Sequence, residues 1–265
     1  MTKTMFTAIA AIVAALFIGL GPASAETTQE KGLRIAQSVG QEPGFRDQAA
    51  EGEMILTTKS GQTSIRRFEA RAVETSPGET RSVLTFLWPG DIRNTTLLTH
   101  SHAGGRDDDQ WLYLPAVSKV RRISSSGRSG SFVGSEFAYE DMSDQDVDKY
   151  TYNWVADGSC PGGGRCHIVD RFPRGASAYS YERVWIEQSR KLIQKVEYYD
   201  RRKAHLKTML ISGYRKHNGK YWRAAKMEMS NHLTGKGTTL TWDGFTFDRG
   251  VNPNDLTVSA LRKGL

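Results

Sequence analysis

The residue types best suited to chemistry lie close together at His100, His102 and Asp107–Asp109. An H-x-H pair on a strand places both imidazoles on one face, and nearby carboxylates can complete a metal site. The intervening Ala-Gly-Gly-Arg is typical of a flexible turn, and polar residues at an exposed hairpin tip explain this cluster better. An enzyme that uses the His100 and His102 region is therefore kept as the catalytic alternative.

Two other segments bear a partial likeness to catalytic or nucleotide-binding motifs. The loop Ser124–Ser131 contains no G-x-S-x-G, and no histidine or aspartate partner stands at a recognisable spacing. Gly235–Thr238 resembles the end of a phosphate-binding loop, but Ser230 stands where the first glycine should be. Strand-like segments flank it where a helix should follow, so a hairpin turn is predicted. The sequence thus predicts no catalytic residue, no metal site and no cofactor.

The chain contains two cysteines, Cys160 and Cys166, separated by Pro-Gly-Gly-Gly-Arg. A short glycine-rich loop between two strand-like segments can close a disulfide in an oxidising compartment. His167 is adjacent, yet a lone C-x5-C-H lacks a fourth metal ligand in sequence. A disulfide that acts as a local staple is predicted.

The first 25 residues are typical of a secretory signal peptide. Lys3 is followed by the apolar run Ala8–Leu20, and Ala23–Ala25 is a small-x-small cleavage site. The apolar run is shorter than the roughly 20 residues that a membrane-spanning helix needs. The residue after the expected cut is Glu26, which cannot carry the lipid of a bacterial lipoprotein. Residues 1–25 are therefore predicted to be removed and residues 26–265 to form one soluble periplasmic domain.

The formal net charge of +7 raises the question of an anionic partner. The basic residues are scattered along alternating strands, often beside acids, and export argues against a nucleic-acid partner. Solvated strand faces and attraction to anionic lipid head groups explain the charge better.

Periodicity predicts one N-terminal helix followed almost entirely by strands. Thr27 and Glu30 offer a capping box, and Leu33, Ala36 and Val39 share one face of the helix. So many antiparallel strands cannot remain flat, and a curled sheet is expected. The strands are predicted at about 51–58, 63–73, 80–88, 94–101, 109–114, 118–123, 148–155, 166–172, 179–187, 192–199, 204–214, 220–231 and 238–247.

Apolar residues at alternate positions indicate what the curled sheet encloses. An ordinary filled core is sufficient for most of them, and the sequence alone does not distinguish a filled interior from a cavity. The same-face sets are Leu84, Phe86 and Trp88; Trp111 and Tyr113; Met227 and Met229; and Leu240 and Trp242.

Four strings of residues resemble one known family. They are Pro89–Asp91 before Leu97-Leu98, the run Asp109–Ala116, the run Val120–Ile123, and the run Gly134–Asp141. On these strings the chain is similar to the LolA-like outer-membrane lipoprotein-sorting proteins, in a broader branch, over most of residues 26–265. It is longer than the classical carrier and has the added disulfide hairpin.

The resemblance implies a mainly β fold: an unclosed, strongly curved antiparallel β-barrel, with a lid over an apolar cavity. Phe132–Met142 is expected to be the lid segment, and Arg121 and Arg122, with Arg128, are candidates for a basic rim, with a solvated hairpin arm as the alternative. The residues expected to contact a ligand in the cavity and lid are Leu84, Phe86, Trp88, Trp111, Tyr113, Phe132, Phe137, Tyr139 and Met142.

The function expected from this resemblance is non-enzymatic. It is that of a periplasmic, monomeric carrier that binds lipid or lipoprotein acyl chains for transport towards the outer membrane. Members of the broader branch resemble partners of resistance-nodulation-division type lipid exporters, which implies an inner-membrane exporter as partner. The alternatives are a periplasmic hydrolase or metal-dependent enzyme, and an accessory subunit of such a transporter that carries no cargo.

Overall fold

The computed structural model describes residues 25–40, 44–143 and 145–263, so the predicted signal peptide, apart from Ala25, lies outside the described residues. The predicted mainly β fold is confirmed. The described residues include two α-helices, α1 (Thr28–Gln37) and α2 (Val258–Lys263). The strands are β1 (Asp47–Thr57), β2 (Thr63–Ser76), β3 (Glu79–Trp88), β4 (Thr96–Ser101), β5 (Asp109–Leu114), β6 (Lys119–Arg122), β7 (Tyr150–Ser159), β8 (Arg165–Pro173), β9 (Tyr179–Glu187), β10 (Ile193–Asp200), β11 (His205–Ser212), β12 (Arg215–His217), β13 (Tyr221–Arg223), β14 (Lys226–Asn231) and β15 (Gly237–Phe247).

Thirteen strands form one antiparallel sheet, in the order β6-β5-β4-β3-β2-β1-β15-β14-β11-β10-β9-β8-β7. Two meanders, β1 to β6 and β7 to β15, meet where β1 pairs with β15. The sheet does not close, because β6 and β7 are both edge strands. The chain between these edges, residues 123–149, therefore connects the two sides of the opening.

The segment predicted as one strand at 220–231 is two strands in the structure. The chain leaves β13 at Arg223 and enters β14 at Lys226, and β13 pairs with β12 in a separate hairpin. Asn218 and Gly219 form the turn of that hairpin with positive φ angles, as the Asn-Gly pair indicates. β12 was not predicted, because its residues lie between the predicted strands at 204–214 and 220–231.

Helix α1 begins with the predicted capping box. The Thr27 side chain accepts a hydrogen bond from the Glu30 amide, and the Glu30 carboxylate accepts one from the Thr27 amide at 2.9 Å. The helix packs on β7 so closely that a Cβ at Gly32 would lie 2.8 Å from the backbone nitrogen of Trp154. Ala36 and Val39 pack against the main cluster as expected, and Ile35 is buried there as well. Leu33, which was expected on the same face, is 40% exposed.

Apolar residues cover both faces of the sheet near β3 to β6. The main cluster lies on the inner face, with Met54, Phe68 and Leu84 among its buried members. A second cluster lies on the outer face, where Leu256 and Leu261 of the C-terminal segment are fully buried against the sheet. Among the described residues, no helix has the length and apolarity needed to cross a membrane.

Candidate functional site

The inner face of the curved sheet encloses a cavity of about 430 Å³. Its walls come from both meanders, which meet there at β1 and β15. Alanines at Ala50, Ala70 and Ala72 leave room on the β1 and β2 side. Long flexible side chains, Met209 and Met227, project from β11 and β14 on the other side. Small residues opposite unbranched thioethers give an apolar space whose lining can adapt to its contents.

The segment Phe132–Met142 lies against this inner face. Phe132 and Phe137 are buried in the main cluster, and the Phe132 ring stacks on Phe86 with ring centroids 5.8 Å apart. The Phe132 amide donates to the Phe137 carbonyl at 2.7 Å, which closes a tight turn. Gly134 occupies that turn with φ +77°, a conformation that glycine adopts without steric cost. The segment thus inserts two phenylalanines among the strands.

Buried polar contacts fix the lid segment to the second meander. Lys207 of β11 donates from Nζ to Asp141 Oδ2 at 2.6 Å and to the Glu136 carbonyl at 3.1 Å. Tyr179 of β9 donates from Oη to Asp141 Oδ1 at 2.9 Å. The Lys207 and Asp141 side chains are 5% and 2% exposed. This contact is therefore a desolvated ion pair, and it connects the lid to the sheet.

Further contacts reach other strands. Gln110 of β5 donates to the Tyr139 carbonyl at 3.0 Å, and the Glu136 amide donates to Thr238 Oγ1 of β15 at 2.9 Å. The Glu140 carboxylate accepts from Ser177 Oγ at 2.7 Å. Burial raises the pKa of Glu140, although the hydrogen bond from Ser177 opposes that shift. The lid expected from the resemblance is accordingly an anchored segment, tied to strands in both meanders.

A second buried ion pair lies within the wall of the cavity. Arg171 of β8 donates from Nε to Glu182 Oε2 of β9 at 2.7 Å, and its Nη2 donates to the same oxygen. The guanidinium also lies 4.7 Å from the centroid of the Tyr150 ring. Burial raises the pKa of Glu182, and Arg171 opposes that rise. The pairing allows a cation to line an apolar space without remaining uncompensated.

Six of the nine predicted ligand-contacting residues lie at or beside the cavity. Leu84, Phe137 and Met142 line it. Phe86, Phe132 and Tyr139 belong to the inner cluster behind this lining, and Phe86 and Phe132 are fully buried. Whether any of them contacts a ligand stays a prediction.

The other three lie elsewhere. The pairing of β2 with β3 shifts register between Phe86 and Trp88, so Trp88 leaves the inner face and is 52% exposed. Trp111 and Tyr113 pack against the second cluster on the outer face, while Leu112 between them faces inwards. The expected place of these three residues in the cavity is thus corrected. Trp88 is exposed, and the C-terminal segment packs against Trp111 and Tyr113.

The arginines expected at a rim lie outside the cavity walls. Arg121 and Arg122 are exposed on the edge strand β6, and Arg122 is paired with Asp109. Arg128 Nη1 lies 2.9 Å from Asp107 Oδ1, in a small polar pocket of about 90 Å³. These contacts agree with the alternative, a solvated hairpin arm in which Arg122 and Arg128 pair with neighbouring aspartates.

The two histidines of the catalytic alternative contact different groups. His100 Nε2 lies 3.1 Å from the Leu256 carbonyl, and burial lowers its pKa. His102 Nε2 lies 3.2 Å from Asp109 Oδ2. Within the described ranges, no three His, Cys, Asp or Glu side chains are grouped as metal ligands. The predicted disulfide between Cys160 and Cys166 is confirmed.

Sequence reasoning missed the buried ion pairs, although a signal for them exists. Lys207 is in phase with the inward-facing Met209 of the same strand, and Glu182 is in phase with Val184. A charged residue at an inward position of an alternating strand predicts a buried partner, because an unpaired charge there is costly. Met227 and Trp242, by contrast, belong to the same-face sets that the alternation predicts, and the structure places both in the cavity lining.

Comparisons with known proteins agree with this architecture. A family model described as an uncharacterized protein matches residues 78–263. An outer membrane lipoprotein-sorting protein domain from Vibrio parahaemolyticus is 38% identical with a TM-score of 0.84, covering 88% of this chain and 99% of that one. A DUF1329 family protein from Desulfovibrio piger is 28% identical with a TM-score of 0.83, covering 89% and 99%.

A LolA superfamily protein from Nitrosomonas europaea shares the fold at 16% identity, with a TM-score of 0.68 and coverage of 88% of this chain and 99% of that one. No curated protein matches the chain. The unclosed sheet, the lid segment between its edges and the 38% identity lead to one conclusion. The chain belongs to the family of outer membrane lipoprotein-sorting protein domains that the Vibrio parahaemolyticus structure represents, and it shares the fold of a LolA superfamily protein.

Proposed function

We propose that this protein is a periplasmic carrier. It binds the acyl chains of a lipid, or of a lipid-modified protein, in the inner cavity and moves them towards the outer membrane without covalent chemistry. The observation that carries the proposal is the apolar cavity of about 430 Å³ beneath the anchored lid segment. Its support is the 38% identity to a lipoprotein-sorting domain that this chain matches over 88% of its length.

The size of the cavity fits an acyl chain. A methylene takes up about as much space as a water molecule in the liquid, roughly 30 Å³. The cavity therefore accommodates on the order of 14 methylenes. Each methylene exposed to water costs about 0.8 kcal/mol, so a chain of that length gains roughly 11 kcal/mol by entering. The gain explains why a lipid needs a carrier to cross an aqueous compartment.

The proposed donor of the cargo is an exporter in the inner membrane, and the proposed acting form is the monomer. Both come from the family resemblance. The positive formal charge, +7 for the full sequence and +6 without Lys3 of the predicted signal peptide, supports an encounter with anionic head groups at the membrane surface.

A matched pair of variants on β11 tests the cavity. Met209 lines it, whereas its neighbour Leu210 lies on the other face of the strand and is 38% exposed. Met209→Asp places a carboxylate against the acyl chain, so we expect the Kd for a fluorescent fatty acid to rise at least tenfold. Leu210→Asp adds the same charge outside and should leave the Kd within about twofold.

Unchanged affinity in a folded Met209→Asp protein would refute the proposed binding site. Mass spectrometry of organic extracts from protein purified out of membranes supplies the second test. We expect co-purifying lipid from the wild-type protein and a reduced amount from Met209→Asp.

A further inference from the structure

A second cavity, of about 270 Å³, lies under helix α1. Ala36 and Val39 of the helix form part of its walls, and Val169 and Val184 of β8 and β9 form another part. This cavity is at the β7 end of the sheet, whereas the first cavity is centred on β1, β2, β14 and β15. Both are predominantly apolar, so each can accept hydrocarbon.

The two cavities adjoin. Gln145, Arg171 and Ile193 line both of them. Gln145 is held in this position by Tyr150, whose Oη donates to Gln145 Oε1 at 2.9 Å. Polar groups thus lie where the two apolar spaces meet.

Arg171 has donors to spare at this junction. Among the described residues, the hydrogen bonds of its guanidinium are those from Nε and Nη2 to a single oxygen of Glu182. Arginine has five N–H donors, so its Nη1 amino group can serve an acceptor on a ligand. Glu182 supplies the compensating charge, which lets Arg171 bind a neutral acceptor such as an ester carbonyl oxygen as well as an anionic one.

We propose that the cargo is a lipid with two acyl chains, one chain in each cavity, whose ester-bearing branch point lies beside Arg171. This inference rests on the proposed carrier function and names its substrate class. The second cavity holds on the order of nine methylenes at roughly 30 Å³ each. A single unbranched chain that passed through both cavities would place only hydrocarbon at the donors of Arg171, whereas a branched lipid places its ester oxygens there.

The test compares two fluorescent probes with the same phosphoglycerol head group, one with a single acyl chain and one with two. We expect the wild-type protein to bind the two-chain probe at least tenfold more tightly. Ala36→Phe fills the second cavity from the helix side, and we expect it to reduce this preference to within about twofold while single-chain binding is retained. Leu33→Phe adds the same ring on the exposed side of the same helix and should keep the preference.

A label on the wild-type protein tests the placement without any variant. A photoactivatable group at the end of the second chain should cross-link to peptides of α1 or of β8 and β9, as identified by mass spectrometry. Cross-links confined to β1, β2, β14 and β15 would overturn the inference, as would equal wild-type affinity for the two probes. So would an unchanged preference in a folded Ala36→Phe protein.

The failures of the two proposals are distinguishable. If the wild-type protein binds neither probe, or if Met209→Asp leaves both affinities unchanged, the carrier function is refuted and the two-chain inference falls with it. If the single-chain probe binds and is lost in Met209→Asp, but the second chain adds nothing, only the two-chain inference is refuted.

Discussion

Breaking the ion pair between Lys207 and Asp141 on one side should lower the free energy of unfolding by more than breaking an exposed pair, because the partner is left charged and desolvated. They are 5% and 2% exposed and are joined at 2.6 Å. Lys207→Met removes the ammonium and keeps an unbranched stem. Within the described part of the chain, Asp141 then retains the hydrogen bonds from Tyr179 Oη and from the Ala138 amide. Breaking a buried pair on one side costs about 3–5 kcal/mol, and that is the expected loss.

A double-mutant cycle separates the pair from its surroundings. Asp141→Asn removes the counter-charge and leaves the Lys207 ammonium buried with neutral acceptors such as the Glu136 carbonyl, so it should also be strongly destabilising. In the double variant neither charge is stranded. We therefore expect the combined loss to fall short of the sum by about 2 kcal/mol, measured by guanidinium denaturation. Additivity within about 0.5 kcal/mol would show that the two groups do not interact and would refute this account.

The neighbouring strand β14 offers a matched control. Lys226 and Glu228 are paired at 2.7 Å but are 44% and 39% exposed. Lys226→Met removes a lysine charge that is already exposed to water, so the expected loss in the free energy of unfolding is below about 1 kcal/mol.

Amide hydrogen exchange gives a second measurement on Lys207→Met. Lys207→Met should speed exchange in Phe132–Met142 while Trp111–Leu114 stays protected, because the ion pair fixes the lid segment and leaves β5 intact.

Two further predictions concern the disulfide hairpin and the carboxylate of Glu187. Replacing both Cys160 and Cys166 with serine should lower the free energy of unfolding by roughly 2 kcal/mol, as measured by thermal unfolding, because the bonded loop is short. The same variant should leave the lipid affinity unchanged in a probe titration, because the loop lies outside the cavity walls. The hydrogen bonds from Arg190, against the opposing effect of burial, lower the pKa of Glu187 from 4.5 to about 2. Its stabilising contribution is therefore fully present above about pH 4.5 and is lost as the pH falls towards 2. Glu187→Gln should flatten this part of the plot of unfolding free energy against pH. A plot for the variant that runs parallel to that of the wild-type protein would contradict the assignment.

Most of the strands could be predicted because their side chains tend to alternate between the two faces of the sheet and because turn residues separate one strand from the next. The predicted strands at 63–73 and 179–187, for example, coincide closely with β2 and β9. The end of β13 could not be predicted from the sequence, since Ala224 and Ala225 carry no turn signal. In the structure these two residues separate β13 from β14. The break brings Arg223 and Ala224 to the cavity wall, a position that the sequence does not indicate.

The inward face of β5 illustrates why the cavity itself was harder to predict. The string Trp111–Leu114 is apolar at every position, so alternation does not decide which residues face inwards. The answer depends on a distant segment: Leu256 and Leu261 cover the outer face and create a second apolar environment there. Alternation identifies a buried face only where the other face meets water.

The buried contacts of the lid segment bear on how a carrier of this kind could release its cargo. Withdrawing the segment would separate Lys207 from Asp141 and expose Phe132 and Phe137, a cost of several kcal/mol. A ligand shifts such an equilibrium only by its difference in affinity between the open and closed forms. An acyl chain of about 14 methylenes gains roughly 11 kcal/mol on moving from water into the cavity, which exceeds the cost of separating these contacts to admit it. Under the proposed function, the lid would therefore stay closed over bound lipid in water and open where a membrane offers the chain an equivalent apolar environment.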